Sequence, residues 1–99
     1  MNMQALMRQA QNLQKDMMKT KEAIDKTIFE GVNSFVKVKV NGKKEVVEII
    51  IDKDAGIDLD DLEMLQDILM LAINDAMKKV DKETEIKMGK YSSMMPGLF

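Results

Sequence analysis

From Met3 onward, apolar side chains return every three or four residues. Met3, Leu6, Ala10, Leu13, Met17, Thr20 and Ile24 form a heptad seam in which Thr20 is the one polar member. Gln, Lys, Asp and Asn fill most other positions, and neither Gly nor Pro interrupts the run, so the spacing predicts a helix from about Met3 to about Lys26. The stripe is narrow, so this helix buries one seam and leaves most of its surface wet. At Thr27 the period drops to two. Ile28, Glu30 and Val32 alternate with Thr27, Phe29 and Gly31 in a first strand. From Ser34 to Val40, Val36, Val38 and Val40 share one face while Phe35, Lys37 and Lys39 share the other. Asn41-Gly42 then offers the positive φ angles of a type I′ hairpin turn, and Glu45 to Ile51 returns as a third strand. The three strands read as an antiparallel meander with one face to be covered.

Asp52 to Asp58 is a loop. Asp58 is placed to cap a second helix, with Asp60, Asp61 and Glu63 in its first turn, where the helix dipole favours negative charge. That helix is expected from about Leu59 to about Lys87. Its apolar residues between Leu62 and Val80 wrap more than one face, which is more than one small sheet can cover. After Val80 it turns polar and is expected to project beyond the sheet. Gly89 is the expected stop, with 91–99 a flexible tail carrying the only Pro. The fold class is α+β in the order α-β-β-β-α, one domain over 1–99.

Composition sharpens this picture. Ninety-nine residues sit near the size where a single core becomes thin. Aromatics are scarce and Trp is absent, so Leu, Ile, Val and eleven Met build a soft, adaptable core. Pairing with a second copy extends such a core, and the surplus apolar surface of the second helix predicts an obligate homodimer. Leu65, Leu69, Met70, Leu71, Ile73 and Met77 are the candidate interface. No apolar run reaches the length of a membrane span and no signal-peptide pattern opens the chain, so a cytoplasmic protein without a membrane partner is expected.

The net charge of −2 hides an uneven distribution. Residues 1–26 hold five basic and three acidic side chains, residues 27–51 four and three, residues 52–75 one and eight, and residues 76–99 five and three. The acid forms one central block, and both ends are mildly basic.

Candidate chemistry is sparse. With neither Cys nor His, the chain has no thiol nucleophile, no thiolate metal site and no imidazole base. Asp52, Asp54, Asp58, Asp60 and Glu63 occupy positions 1, 3, 7, 9 and 12 of an EF-hand count. Ile57, however, stands where that loop needs Gly, and a strand precedes the loop, so capping and solvation explain the acids better. The glycines form neither a phosphate loop nor a dinucleotide fingerprint. Nothing marks a nucleophile with an orienting partner. The expectation is a protein that is not an enzyme, takes no cofactor and has no small-molecule substrate.

Several short stretches, in order along nearly the whole chain, resemble the YbaB/EbfC family of nucleoid-associated proteins. Met7-Arg8-Gln9-Ala10-Gln11 is similar to the family's Met-Lys-Gln-Ala-Gln opening, and Val38-Lys39-Val40-Asn41-Gly42 to its central hairpin. Leu62-Glu63-Met64-Leu65-Gln66-Asp67 with Asn74-Asp75-Ala76 resembles its second long helix. Met94-Met95-Pro96-Gly97-Leu98-Phe99 is similar to its Pro-Gly-Phe-type tail. The resemblance implies a homodimer with sheets and helices packed centrally and long helices protruding like tweezers. It also implies binding of double-stranded DNA in the nucleoid with little sequence preference. One departure is the acidic loop, where Asp52-Lys53 replaces the family's Asp-Pro start; this makes the sheet end unsuited to DNA.

The long terminal helices, to which the family's DNA contacts are attributed, carry Arg8, Lys15, Lys19, Lys21 and Lys26 at one end of this chain and Lys78, Lys79, Lys82, Lys87 and Lys90 at the other. These ten are the candidate contacts, acting on phosphates and fixing no base sequence. The alternative is a dimeric protein-interaction adaptor without a nucleic-acid role.

Overall fold

The computed structural model describes residues 2–94. Helix α1 (Met3–Lys26) leads into strands β1 (Phe29–Asn33), β2 (Val36–Val40) and β3 (Val46–Ile51), and helix α2 (Leu62–Met94) follows a single 3₁₀ turn over Leu59–Asp61. The α-β-β-β-α order is the expected one. The sheet is antiparallel throughout, in the order β1-β2-β3.

Capping residues set the helix ends. The Asn2 side chain accepts the Gln4 N–H and opens α1. Asp58 is the cap residue before the 3₁₀ turn, and the Asp61 carboxylate accepts its N–H.

α2 crosses β1 and β2 on the face carrying Phe29, Gly31, Val36, Val38 and Val40. Val38 and Val40 are completely buried, as are Ala72 and Ala76 across from them. The alternation expected for β2 is therefore met. Gly31 is required by this packing: a Cβ there would stand 2.1 Å from the carbonyl oxygen of Ala72. Only a glycine lets the strand and helix backbones come this close.

The hairpin after β2 differs from the expected two-residue type I′ turn. Lys44 N–H donates to the Asn41 carbonyl and Asn41 N–H to the Glu45 carbonyl, and it is Lys44 that takes the left-handed conformation, at φ 64°. This is a three-residue loop built on an ordinary turn. The Asn41 carboxamide oxygen holds it, accepting from the Lys43 and Glu45 N–H groups. Gly42 does not need a positive φ. Its N–H donates to the Asp25 carbonyl, and a Cβ there would lie 1.9 Å from the Ile24 oxygen. The loop thus docks on the C-terminus of α1 and satisfies one of its free carbonyls. Val47 is the extra residue of a bulge where Val40 pairs with Val46.

The C-terminal expectation is corrected. α2 does not stop near Lys87 or at Gly89 but runs through the glycine to Met94, so residues 91–94 are helical. Met88 and Tyr91 are buried on either side of Gly89, and the Tyr91 hydroxyl lies 3.2 Å from that of Thr20. Burying these two side chains outweighs the roughly 1 kcal/mol that a mid-helix glycine costs. The rest of the expected tail, 95–99, lies outside the described residues.

Ile24 sits beside Thr84 and Met88, while Thr20, one turn earlier in α1, meets Tyr91. α1 and the last part of α2 are therefore antiparallel. The seam of α1 is covered at Leu13, Met17, Thr20 and Ile24 but not at Met3, Leu6 or Ala10, where the helix extends past its partner. The molecule is a rod of 71 × 19 × 14 Å.

Candidate nucleic-acid interface

Four of the five α1 cations share one line. At about 100° per residue, Arg8, Lys15, Lys19 and Lys26 fall within an arc of about 40°, opposite the seam centred on Leu13 and Ile24. All four are exposed, and none has a salt-bridge partner among the described residues. The stripe runs about 27 Å along the helix, the length of roughly eight base pairs. Lys21 is not part of it; it pairs with Asp25 at 3.4 Å. Seam and stripe follow from one helical register: burying Ile24 against α2 turns Lys15, Lys19 and Lys26 outward.

The α2 cations have no such alignment. Lys79 donates to the Glu30 carbonyl at 2.6 Å and lies 3.5 Å from the Asp75 carboxylate. Asp75 in turn accepts the Val32 N–H at 3.1 Å. That hydrogen bond, and after it Lys79 and Lys78, holds the Asp75 carboxyl below its ordinary range. Lys79 and Asp75 together tie α2 to the edge of β1, which binds Lys79 to a structural task. Lys87 pairs with Glu83, and Lys90 lies over the Tyr91 ring at 5.0 Å. Lys78, Lys82 and Lys90 are exposed without an ion pair among the described residues. On the outer face of the sheet, Lys37 and Lys39 are matched by Glu30 and Glu48.

The acid block lies at the other end of the rod. The loop and first turns of α2 carry Asp52, Asp54, Asp58, Asp60, Asp61, Glu63 and Asp67, far from the free tip of α1. Among the described residues no group of acids is placed to hold a metal ion, and no helix is long and apolar enough to cross a membrane.

The chain matches the YbaB/EbfC DNA-binding family over residues 1–95. It belongs to that family. A nucleoid-associated protein of Ligilactobacillus salivarius is 48% identical over 100 residues, covering 99% of this chain and 95% of that protein. One from Bacillus licheniformis is 49% identical over 102 residues, covering 99% and 94%. Among solved structures, the crystal structure of an uncharacterized protein of Helicobacter pylori superposes with a TM-score of 0.73 at 27% identity, over 92% of this chain and 97% of that one.

Within the YbaB/EbfC fold, the six candidate interface residues divide. Leu65, Leu69, Ile73 and Met77 are half-buried against the chain's own core, while Met70 and Leu71 are about half exposed and point about 100° apart. The larger uncovered surface was not singled out in the sequence. β3 lies outside the footprint of α2 and exposes Val46, Val47, Ile49, Ile50 and Ile51. Its signal was a strand with almost no polar positions, which in a three-stranded sheet needs cover on both faces. Lys43 was also missed; it borders the cleft that Lys26 lines, at the inner end of the stripe, although Glu22, Asp25 and Glu45 share that cleft.

Proposed function

We propose that this protein works as a homodimer in the bacterial nucleoid, holding duplex DNA through phosphate contacts with little regard for base sequence. The observation that carries this reading is the α1 stripe: Arg8, Lys15, Lys19 and Lys26 aligned, exposed and unpaired among the described residues. Its spacing suits a charged backbone. No aromatic side chain is interleaved to stack on bases, and no Asn or Gln needs to read a groove. The names of the relatives, nucleoid-associated proteins, support the location. Dimerisation draws support from the uncovered β3 and from Met70 and Leu71 of α2, an apolar area that an interface above about 2,000 Å² would bury.

The test is DNA binding by the purified protein at several salt concentrations, with unrelated duplexes. Two or three phosphate contacts from each of two copies give a slope of log affinity against log salt of about −4 to −5. Reversing Lys15 and Lys19 to Glu should weaken binding to all duplexes about equally and flatten that slope. Full-strength binding by this variant, or affinity insensitive to salt, would overturn the reading. Sedimentation showing a folded monomer at micromolar concentration would remove the dimer from it.

A further inference from the structure

An open sheet has two edge strands, and each presents N–H and C=O groups able to template another strand. Here the two edges differ. On β1 the Glu30 carbonyl accepts from the Lys79 ammonium at 2.6 Å, and the Val32 N–H donates to the Asp75 carboxylate at 3.1 Å. These two side chains stand where the N–H and C=O groups of an incoming strand would bond, so the β1 edge is closed. On β3 the edge is open. The Asp52 N–H donates to the Phe35 carbonyl, so by alternation Glu48 and Ile50 bond β2, and the N–H and C=O groups of Ile49 and Ile51 point outward. No side chain among the described residues bonds those outward groups. The strand is exposed throughout, holds one charge, Glu48, and has neither Gly nor Pro.

We propose that a second copy of this chain adds its β3 to this edge, antiparallel and centred on Ile49, joining the two sheets into one of six strands. The proposal rests on the homodimer and names its seam. A two-fold axis pairs β3 with itself, and outward residues must face outward residues, so the axis sets one residue opposite its own counterpart. The Val47 bulge leaves Glu48 to Ile51 as the regular stretch in which that residue can lie. Like charges directly opposite one another destabilise a sheet, and this selects among the four. A centre at Glu48 opposes the two Glu48 carboxylates, and one at Ile50 opposes Glu48 to Asp52 of the second copy. A centre at Ile51 runs the strand against the acidic loop, with Glu48 opposite Asp54. A centre at Ile49 sets Glu48 opposite Ile50 and the two Ile49 side chains against each other. Register partners Val36 and Val38 place Ile51 and Ile49 on the core face of the sheet, so the apolar row continues across the seam.

The chain has no Cys, so one introduced Cys reports the seam. Ile49→Cys should oxidise to a disulfide between chains, because residues facing each other in a hydrogen-bonded pair lie about 5.5 Å apart at Cα. Its yield should be about tenfold above that of Glu30→Cys on the closed edge. Both positions are exposed, so neither change disturbs the core. In the parent protein the Ile49 amide should exchange at least about a hundredfold more slowly than in an unstructured peptide, since it is bonded only across the seam. A protein that sediments as a dimer yet exchanges Ile49 freely, or that cross-links equally from both positions, would overturn the edge pairing and leave the homodimer standing. A folded monomer in sedimentation would remove the homodimer and the seam together.

Discussion

Gly31→Ala should be among the most damaging single-methyl additions this chain can receive. The new Cβ would stand 2.1 Å from the Ala72 carbonyl oxygen, 2.5 Å from the Ala76 nitrogen and 2.9 Å from the Ala76 Cβ, where ordinary contact begins at 3.4 Å. Relief therefore needs β1 and α2 to separate by about 1.3 Å at their tightest point. The obstacle is mostly backbone, so no rotamer change helps. Ala72, Ala76 and Val38, the register partner of Gly31, are all at 0% exposure, so the separation opens gaps on every side. Overpacking of this kind costs about 3 kcal/mol, and the lower entropy of the unfolded alanine chain offsets at most about 1 kcal/mol. The net loss of about 2 kcal/mol lowers Tm by roughly 8–16 °C in a domain of this size. Circular dichroism melting at fixed protein concentration measures it. Gly89→Ala is the control: nothing lies within 4 Å of its added Cβ, and replacing a mid-helix glycine should raise Tm by a few degrees. A Gly31→Ala protein melting within 3 °C of the parent would refute the close-approach argument.

Asp75→Asn removes a carboxylate held below its ordinary pKa of 3.8, first by the Val32 N–H and then by Lys79 and Lys78. A depressed folded pKa stabilises above the unfolded value and loses that stabilisation as pH falls through the folded one, so urea titrations should show the parent ahead at pH 5–7 and the gap closing below about pH 4. Tyr91→Phe should cost about 1 kcal/mol through the lost Thr20 contact, and Tyr91→Ala about 3 or more through the emptied site, read by the same melts. Lys79→Glu should lower Tm, since it breaks the tie to Glu30 and Asp75, whereas Lys15→Glu and Lys19→Glu should leave Tm within about 2 °C. Neutralising Asp58, Asp60 and Asp61 to Asn should leave DNA affinity within about twofold while loosening the start of α2.

Period alone made the elements legible. The heptad seam gave α1 its bounds, and the alternation of Val36, Val38 and Val40 gave β2 its buried face. What escaped depended on distance in space. Gly42 looked like a turn glycine, yet its requirement comes from the Ile24 backbone eighteen residues earlier. Gly89 looked like a helix stop, and locally it is one; the burial of Met88 and Tyr91 against α1 overrides it. Lys79 looked like the other surface lysines because the carbonyl it holds belongs to β1. The stripe, by contrast, was present in the spacing 8, 15, 19 and 26, and needed only to be read at the helical period with the same care as the seam.

A net charge of −2 says little about a rod 71 Å long. At physiological salt, charges separated by more than about 8 Å of solvent act nearly independently. α2 spans about 50 Å from Leu62 to Met94, and the free end of α1 extends about 20 Å further, which together account for the long dimension. The acids of 52–67 therefore sit many screening lengths from Arg8 and Lys15. A phosphate backbone lying along the α1 stripe would experience four cations and a few nearby acids, Asp16, Glu22 and Asp25 of α1 and Glu45 in the cleft beside Lys26, of which Asp25 is already matched by Lys21. The distant acids contribute orientation instead. A polyanion approaching the acidic end is repelled over the last few ångströms, and one approaching the α1 tip is not. Binding then needs no positive total, only a fold long enough to keep its two signs apart.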